Sequence, residues 1–215
     1  MKAPAIKGLY AITPECADTA QLLHRVGLAL AGGASTVQYR NKGDDVALQH
    51  EQATELLELC RSYHVPLIIN DNLRLADLVD ADGIHLGRDD VSLKEARIIL
   101  GPDKIIGVSC YNGLEQAQEA EAQGADYVAF GSFFPSPTKP AAVQAPIALL
   151  ELAKQTLTVP IVAIGGITLD NAATLVAAGA DALAVITAVF EAADIKAAAQ
   201  NFSNLFHVEN HRIAS

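Results

Sequence analysis

Basic residues are scarce in this chain. Fifteen Lys and Arg stand against 25 Asp and Glu, giving a net charge of −10, and the cations form no cluster. A generic nucleic-acid binder presents a basic face, so that class is excluded. Any phosphate ligand must be met by a few local cations, by backbone N–H groups or by a metal, against the field of the whole molecule. Cysteine is scarce too. Cys16, Cys60 and Cys110 are odd in number and far apart, which excludes a disulfide framework and offers no metal-ligand pair. No run of eighteen apolar residues occurs, so no transmembrane helix and no membrane partner are expected. The first residues reach Lys7 and Gly8 without an apolar stretch, so no secretory signal is expected and the cytoplasm is the default location. Nor does any linker or shift in composition divide the 215 residues. A single domain over 1–215 is expected, with a loose tail from about residue 206.

What is abundant is apolar residue, 51% of the chain and evenly spread. That suffices for a sizeable core. Short apolar runs alternate with amphipathic stretches throughout. Strands are predicted at 8–13, 35–40, 66–70, 82–86, 104–109, 126–130, 160–164 and 181–186. Helices are predicted at 18–31, 45–63, 73–79, from Ser92, and at 113–123, 146–155, 169–178 and 193–205. Asp18 is a plausible N-cap, and Ser92 with Glu95 has capping-box spacing. Uniformly apolar short strands suit a sheet covered on both faces. Strict alternation makes that sheet parallel, and eight units favour an α/β fold closed as a (β/α)8 TIM barrel. Gln123-Gly-Ala-Asp and Ala178-Gly-Ala-Asp echo one another at helix ends, where glycine serves as a C-cap.

In such a barrel the active site lies at the C-terminal ends of the strands. Polar residues gather there: Thr13 and Glu15; residues 38–42; Asn70 and Asp71; His85 to Asp90; Ser109; Gly165 and Gly166; Thr187. Gln38, Arg40 and Lys42 alternate with Val37, Tyr39 and Asn41, so the first set faces inward. Two cations in a barrel mouth ask for an anion, or for a buried carboxylate such as Asp71 as a structural pair. Asp71 and Asp90, with Asp89 alongside, could serve as a general acid and base, or hold Mg²⁺. Helix capping is the alternative for Asp89 and Asp90. Gly165-Gly166 lets a backbone approach a ligand at a helix start, and loops after the last two strands are the usual phosphate site. Residues 130–142 break every regular period through Pro135, Pro137 and Pro140 and carry Ser132, Ser136, Thr138 and Lys139, groups suited to a phosphate ester. Three others read as structural. His85 reads as a barrel-interior histidine packed among polar groups. Cys110 lacks an evident base. Ser109 lacks a nucleophile-elbow context and reads as a hydrogen-bond donor.

The ordered set of segments resembles the thiamine phosphate synthase family. It comprises Gln38-Tyr-Arg-Asn-Lys42, Asn70-Asp71, Gly83-Ile-His-Leu-Gly-Arg-Asp-Asp90, Gly107-Val-Ser109, residues 126–131 with Pro135-Ser-Pro-Thr-Lys139, Gly165-Gly-Ile167 and Ile186-Thr187. The resemblance spans nearly the whole chain. It implies a transferase that joins hydroxymethylpyrimidine diphosphate to a thiazole phosphate, or to its carboxylated form, giving thiamine phosphate and pyrophosphate. It implies one Mg²⁺ per subunit on Asp71 and Asp90. Gln38, Tyr39, Arg40, Asn41, Lys42, Asn70, Ser109 and Lys139 would hold the pyrimidine diphosphate. Arg40, Lys42, Lys139 and Ser109 would assist catalysis. Ser136, Pro137, Thr138, Gly166, Ile186 and Thr187 would hold the thiazole phosphate. The implied mechanism is dissociative: pyrophosphate leaves first, and the thiazole nitrogen captures a pyrimidine-methyl cation. Ser136 and Thr187 exchange one hydroxyl residue for another relative to the family, and Ser132 replaces its usual proline. A homo-oligomer is compatible with the sequence. Two other readings share the fold: a thiazole tautomerase relative, and a silent barrel that binds a phosphorylated metabolite. The retained charges at Arg40, Lys42, Asp71, Asp90 and Lys139 speak against both.

Overall fold

Strand follows helix from one end of the chain to the other because apolar runs of four to seven residues are each closed by a turn and a capped helix. The computed structural model describes residues 6–135 and 144–207. The strands are β1 (Gly8–Ile12), β2 (Ala34–Tyr39), β3 (Leu67–Asn70), β4 (Gly83–Leu86), β5 (Ile105–Tyr111), β6 (Tyr127–Phe130), β7 (Ile161–Ile164) and β8 (Ala182–Val185). The intervening helices are α1 (Thr19–Ala31), α2 (Val46–Ser62), α3 (Leu73–Leu78), α4 (Leu93–Leu100), α5 (Leu114–Ala122), α6 (Ala148–Thr156) and α7 (Leu169–Ala177). A single turn, α8 (Thr187–Phe190), precedes the last helix, α9 (Ile195–Asn204). The strands pair in parallel in chain order, and β8 returns to β1 to close the barrel. The predicted (β/α)8 barrel is the observed one. Most boundaries agree within a residue or two; β5 runs on to Tyr111, past the expected end at Ser109, through an irregularity in its pairing with β6. Of the expected tail, residues 208–215 lie outside the described residues.

Short polar side chains start the helices. Asp18, Asp45, Asn72, Ser92 and Asp194 each accept a hydrogen bond from the backbone N–H three residues on. Each satisfies an N–H that the helix itself leaves open. A second device closes the barrel floor. Asp82, Asp126 and Asp181 precede β4, β6 and β8, and their carboxylates accept from Leu67, Ile106 and Ile161 N–H at the starts of the neighbouring strands, each at 2.9 Å. The Gly-Ala-Asp echo is thus a strand-pairing device. Its glycine ends the helix, and its aspartate caps the adjacent strand.

The alternation of the strands divides the core in two. One phase (Leu9, Ala11, Val37, Leu67, Ile69, Ile84, Phe130, Ala163, Leu183) packs under the helices. The other (Tyr10, Ile12, Ile68, Ile105, Tyr127, Ala129, Val162, Ala184) fills the barrel. Gly107 sits on the inner phase directly beside Tyr127 in the β5–β6 register. A β-carbon there would overlap the Tyr127 ring, so glycine makes room for one of the two tyrosines of the barrel interior.

All three cysteines are free. Cys60 and Cys110 lie in the outer core layer. Burial pushes both thiols up to about 12, with the Asp82 carboxylate adding to the effect at Cys60. A raised value keeps the unreactive thiol form at neutral pH. A disulfide-exchange reagent at neutral pH should therefore titrate Cys16 alone in the folded protein and all three thiols after denaturation. Rapid reaction of a second thiol would contradict this burial. No helix among the described residues is long and apolar enough to cross a membrane.

Candidate active site

The C-terminal ends of the strands open into a cavity of about 560 Å³, a volume suited to a small-molecule ligand. Polar groups converge on it from seven of the eight strand ends and from the turn after β8. Gln38, Arg40, Lys42, Asn70, Asp71, Ser109 and Asp90 all line it, as the inward phase of β2 and the fold's polarity require.

Arg40 is set by the β1 end. Thr13 Oγ1 accepts from the Arg40 backbone N–H at 3.0 Å, and Glu15 meets the guanidinium at 3.4 Å. Lys42 forms an ion pair with Asp71. Lys42 therefore carries the structural partner considered from the sequence, whereas Arg40 pairs with the exposed Glu15; both side chains still line the cavity. Asp71 holds a left-handed backbone, φ 60°. Few non-glycine residues adopt that region, and such strain gathers at functional sites. Burial alone would raise the Asp71 carboxyl, but hydrogen bonds from Lys42 and with Asp90 outweigh it and hold it below the usual carboxylate range. Asp90 is displaced upward, by burial first and then by the Asp71 charge, against the Gly87 N–H that it accepts at 2.6 Å. Neither Asp89 nor Asp90 caps α4; Ser92 does. Asp89 lines the cavity beside Asp90.

The floor is a set of hydroxyls and one imidazole. His85 Nδ1 lies 2.9 Å from Tyr127 Oη, and its Nε2 lies 2.8 Å from Ser109 Oγ. The imidazole also stacks on the Tyr127 ring. The packed interior histidine expected from the sequence is thus in place, and it holds Ser109. The far wall is backbone. Gly165 (φ 101°) and Gly166 (φ 63°) turn the chain from β7 into α7, and a β-carbon on either would overlap residues 132–135. Ile186 and Thr187 continue that wall after β8. Ser132 donates to Phe134 C=O at 2.7 Å, bracing the start of the proline-rich loop.

Two expected ligand side chains face elsewhere. Tyr39 Oη donates to Gln52 Oε1 of α2 at 2.8 Å, and Asn41 Nδ2 lies 3.2 Å from Tyr39 Oη. Asn41 Oδ1 accepts from Gly43 N–H at 2.8 Å and shapes the turn into α2. Neither residue lines the cavity. The cause is the two-residue period: a contiguous five-residue motif cannot put every side chain on one face of a strand. Ser136, Pro137, Thr138 and Lys139 lie outside the described residues. Conversely, motif order does not single out Tyr10, Tyr127, Tyr111 or Arg88, which all line the cavity. Strand phase marks Tyr10 and Tyr127, since each shares the inward phase with Ile12 or Ala129. Arg88 lies over the Tyr111 ring at 4.6 Å. Unlike Arg40 and Lys42, it has no carboxylate partner among the described residues.

The family model described as Thiamine monophosphate synthase matches residues 9–189. Among curated proteins, the thiamine-phosphate synthase of Thiobacillus denitrificans is 59% identical over 202 residues, covering 94% of this chain and 96% of that protein. That of Methylobacillus flagellatus is 57% identical over 204 residues, covering 95% and 97%. A solved structure, thiamine phosphate pyrophosphorylase from Pyrococcus furiosus, superposes with a TM-score of 0.84 at 36% identity, covering 94% of this chain and 96% of its own.

The chain belongs to the thiamine monophosphate synthase family. It is a transferase of thiamine biosynthesis. A phosphoryl-bearing substrate explains why a molecule of net charge −10 concentrates Arg40, Lys42 and Arg88 in one cavity. The metal expected in such a synthase can be tested against the donors present. Asp71 and Asp90 adjoin closely enough to drive their titrations apart, and no third His, Cys, Asp or Glu completes a metal-binding group among the described residues. Two carboxylates short of a full protein cage fit Mg²⁺, which keeps several waters and takes oxygens from substrate phosphate.

Proposed function

We propose that the chain joins a hydroxymethylpyrimidine diphosphate to a thiazole phosphate, with Mg²⁺ held by Asp71 and Asp90. One observation carries this reading. A single cavity sets the carboxylate pair and three cations against a glycine-rich backbone wall. The first wall suits a diphosphate leaving group, and the second a phosphate ester that only needs positioning. When bound, the metal would offset charge on the diphosphate oxygens.

The bond that breaks joins the pyrimidine's methylene carbon to a diphosphate oxygen, and its electron pair departs with pyrophosphate. The thiazole nitrogen lone pair then forms the new carbon–nitrogen bond. The scheme needs no protein nucleophile. Arg40, Lys42 and Arg88 face the leaving group and stabilise the charge that develops on it, aided by the Ser109 hydroxyl. Gln38 and Asn70 orient the pyrimidine. The Gly166 backbone, Ile186 and Thr187 hold the thiazole phosphate in line, which supplies proximity. By resemblance, Lys139 adds a further cation to the diphosphate, and Ser136 to Thr138 add donors to the thiazole phosphate. The same proposal assigns the enzyme to the cytoplasm, in keeping with three free thiols.

The test is direct. Purified protein with both substrates and Mg²⁺ should release pyrophosphate and thiamine phosphate in equal amounts, and chelation should stop both. Failure to form either product with metal present would overturn the proposal.

A further inference from the structure

Five side chains from five strands form one unbroken hydrogen-bonded chain beneath the cavity. Gln38 Nε2 donates to Tyr10 Oη at 2.9 Å, and Tyr10 Oη lies 2.8 Å from Tyr127 Oη. Tyr127 Oη lies 2.9 Å from His85 Nδ1, and His85 Nε2 lies 2.8 Å from Ser109 Oγ. Both ends of the chain line the cavity. Its middle borders the cavity floor as well, but Tyr10 and Tyr127 are fully buried and find their hydrogen-bond partners within the chain. Burial pushes both phenols well above their ordinary value, so each keeps its single proton. Each phenol therefore gives one of its two hydrogen bonds and receives the other.

That rule makes the chain directional. An amide nitrogen only donates, so Tyr10 receives from Gln38 and must give to Tyr127. Tyr127 must then give to His85 Nδ1. An imidazole that accepts at Nδ1 carries its proton on Nε2 and gives it to Ser109. Ser109 is left with its own proton to direct into the cavity. At the other end, Gln38 Oε1 has no protein partner among the described residues and stands as an acceptor in the cavity lining. The reverse direction exists only if every bond turns over together. A mixture would leave a buried proton without an acceptor, or set two protons face to face.

We propose that Tyr10, Tyr127 and His85 are positioning residues that lock the cavity into one hydrogen-bond polarity, an acceptor at Gln38 and a donor at Ser109. The two ends are coupled. An anionic oxygen at Ser109 requires a donor there, and the chain then requires an acceptor at Gln38. The ligand this selects is a ring that carries an N–H donor on one side and an anionic group on the other. Its oxo isostere is rejected, because two acceptors would meet at Gln38. The proposal rests on the aminopyrimidine diphosphate reading for the identity of that ring, though not for the direction of the chain.

Tyr127→Phe keeps the ring that packs beside Gly107 and removes one hydroxyl that touches neither Gln38 nor Ser109. Tyr10 then has only Gln38 Oε1 left to receive its proton, so the amide turns over and presents its NH₂ group. Two measurements read this. The first compares kcat/KM for the aminopyrimidine diphosphate and for its oxo analogue. The wild type should favour the amino ligand by about 10⁴-fold, and Tyr127→Phe should reduce that preference at least about tenfold, mainly through KM for the amino ligand. Parallel loss on both ligands with the preference intact would overturn the proposal. The second is nitrogen-15 NMR of the ligand-free protein, with the His85 signals assigned through His85→Asn. A single Nε2–H tautomer should appear in the wild type and a mixture in Tyr127→Phe. An Nδ1–H tautomer in the wild type would overturn the proposal. If the wild type turned over neither ligand, the function reading would fall, and the tautomer would still decide the direction of the chain.

Discussion

Asp71→Asn is expected to lower turnover on the order of a hundredfold or more while leaving the fold intact, as loss of a preorganised charge-stabilising group does. The substitution suits the site. Asn tolerates the left-handed backbone that Asp71 adopts at φ 60°, so the β3–α3 turn is preserved. What disappears is charge. Lys42 loses its carboxylate partner, and the pair with Asp90 becomes a single acid. The Asp71 charge contributes to the upward displacement of Asp90, so the Asp90 carboxyl should move back toward its ordinary value in the variant. The measurement is initial velocity against Mg²⁺ concentration, with circular dichroism confirming the fold. The half-saturating Mg²⁺ concentration should rise. An unchanged metal titration would remove Asp71 from the proposed ligand set.

The second large effect is on stability, with a kinetic consequence. Gly107→Ala places a β-carbon inside the Tyr127 ring, which is itself fully buried among Tyr10, Ile105 and Ala129. The open space beside the ring is the ligand cavity itself. Overpacking of this kind costs about 1–3 kcal/mol. In a domain of this size that corresponds to a fall in Tm of roughly 2–12 °C. Any displacement of the ring also moves Tyr127 Oη away from Tyr10 and His85, so kcat/KM should fall further than that of an equally destabilised variant of the outer layer. Leu175→Val is a suitable control, since Leu175 is buried under the helices and away from the cavity lining. Unchanged Tm and kinetics in Gly107→Ala would show that the ring can shift freely, against the packing described.

Much of the fold is legible in the sequence. Apolar runs bounded by glycine and aspartate define eight strands, because a strand covered on both faces needs apolar residues in both phases. The N-caps at Asp18 and Ser92 follow from local hydrogen bonding within four residues. The inward phase of Gln38, Arg40 and Lys42 is equally local, since a strand side chain alternates whatever lies across from it. The same rule already sets Tyr39 and Asn41 on the outward phase, where Tyr39 meets Gln52 and Asn41 meets Tyr39. There the family motif masked the geometry, because a contiguous motif records what recurs and not which face it occupies.

What sequence alone determined, then, is the order of elements, the end of the barrel that carries chemistry, and which side chains point into it. Each depends on patterns within a few residues: period two, capping spacing and glycine at helix ends. Tertiary structure decided which inward side chains meet. Tyr10 and Tyr127 lie 117 positions apart and touch only because β8 closes on β1 and brings opposite walls within one hydrogen bond. His85 gains Ser109 and Tyr127 as partners for the same reason. So does Gly107, whose missing side chain is explained only by the ring beside it. Strand phase sets a direction toward the barrel axis, but the neighbour found there depends on closure and register, which no local pattern encodes.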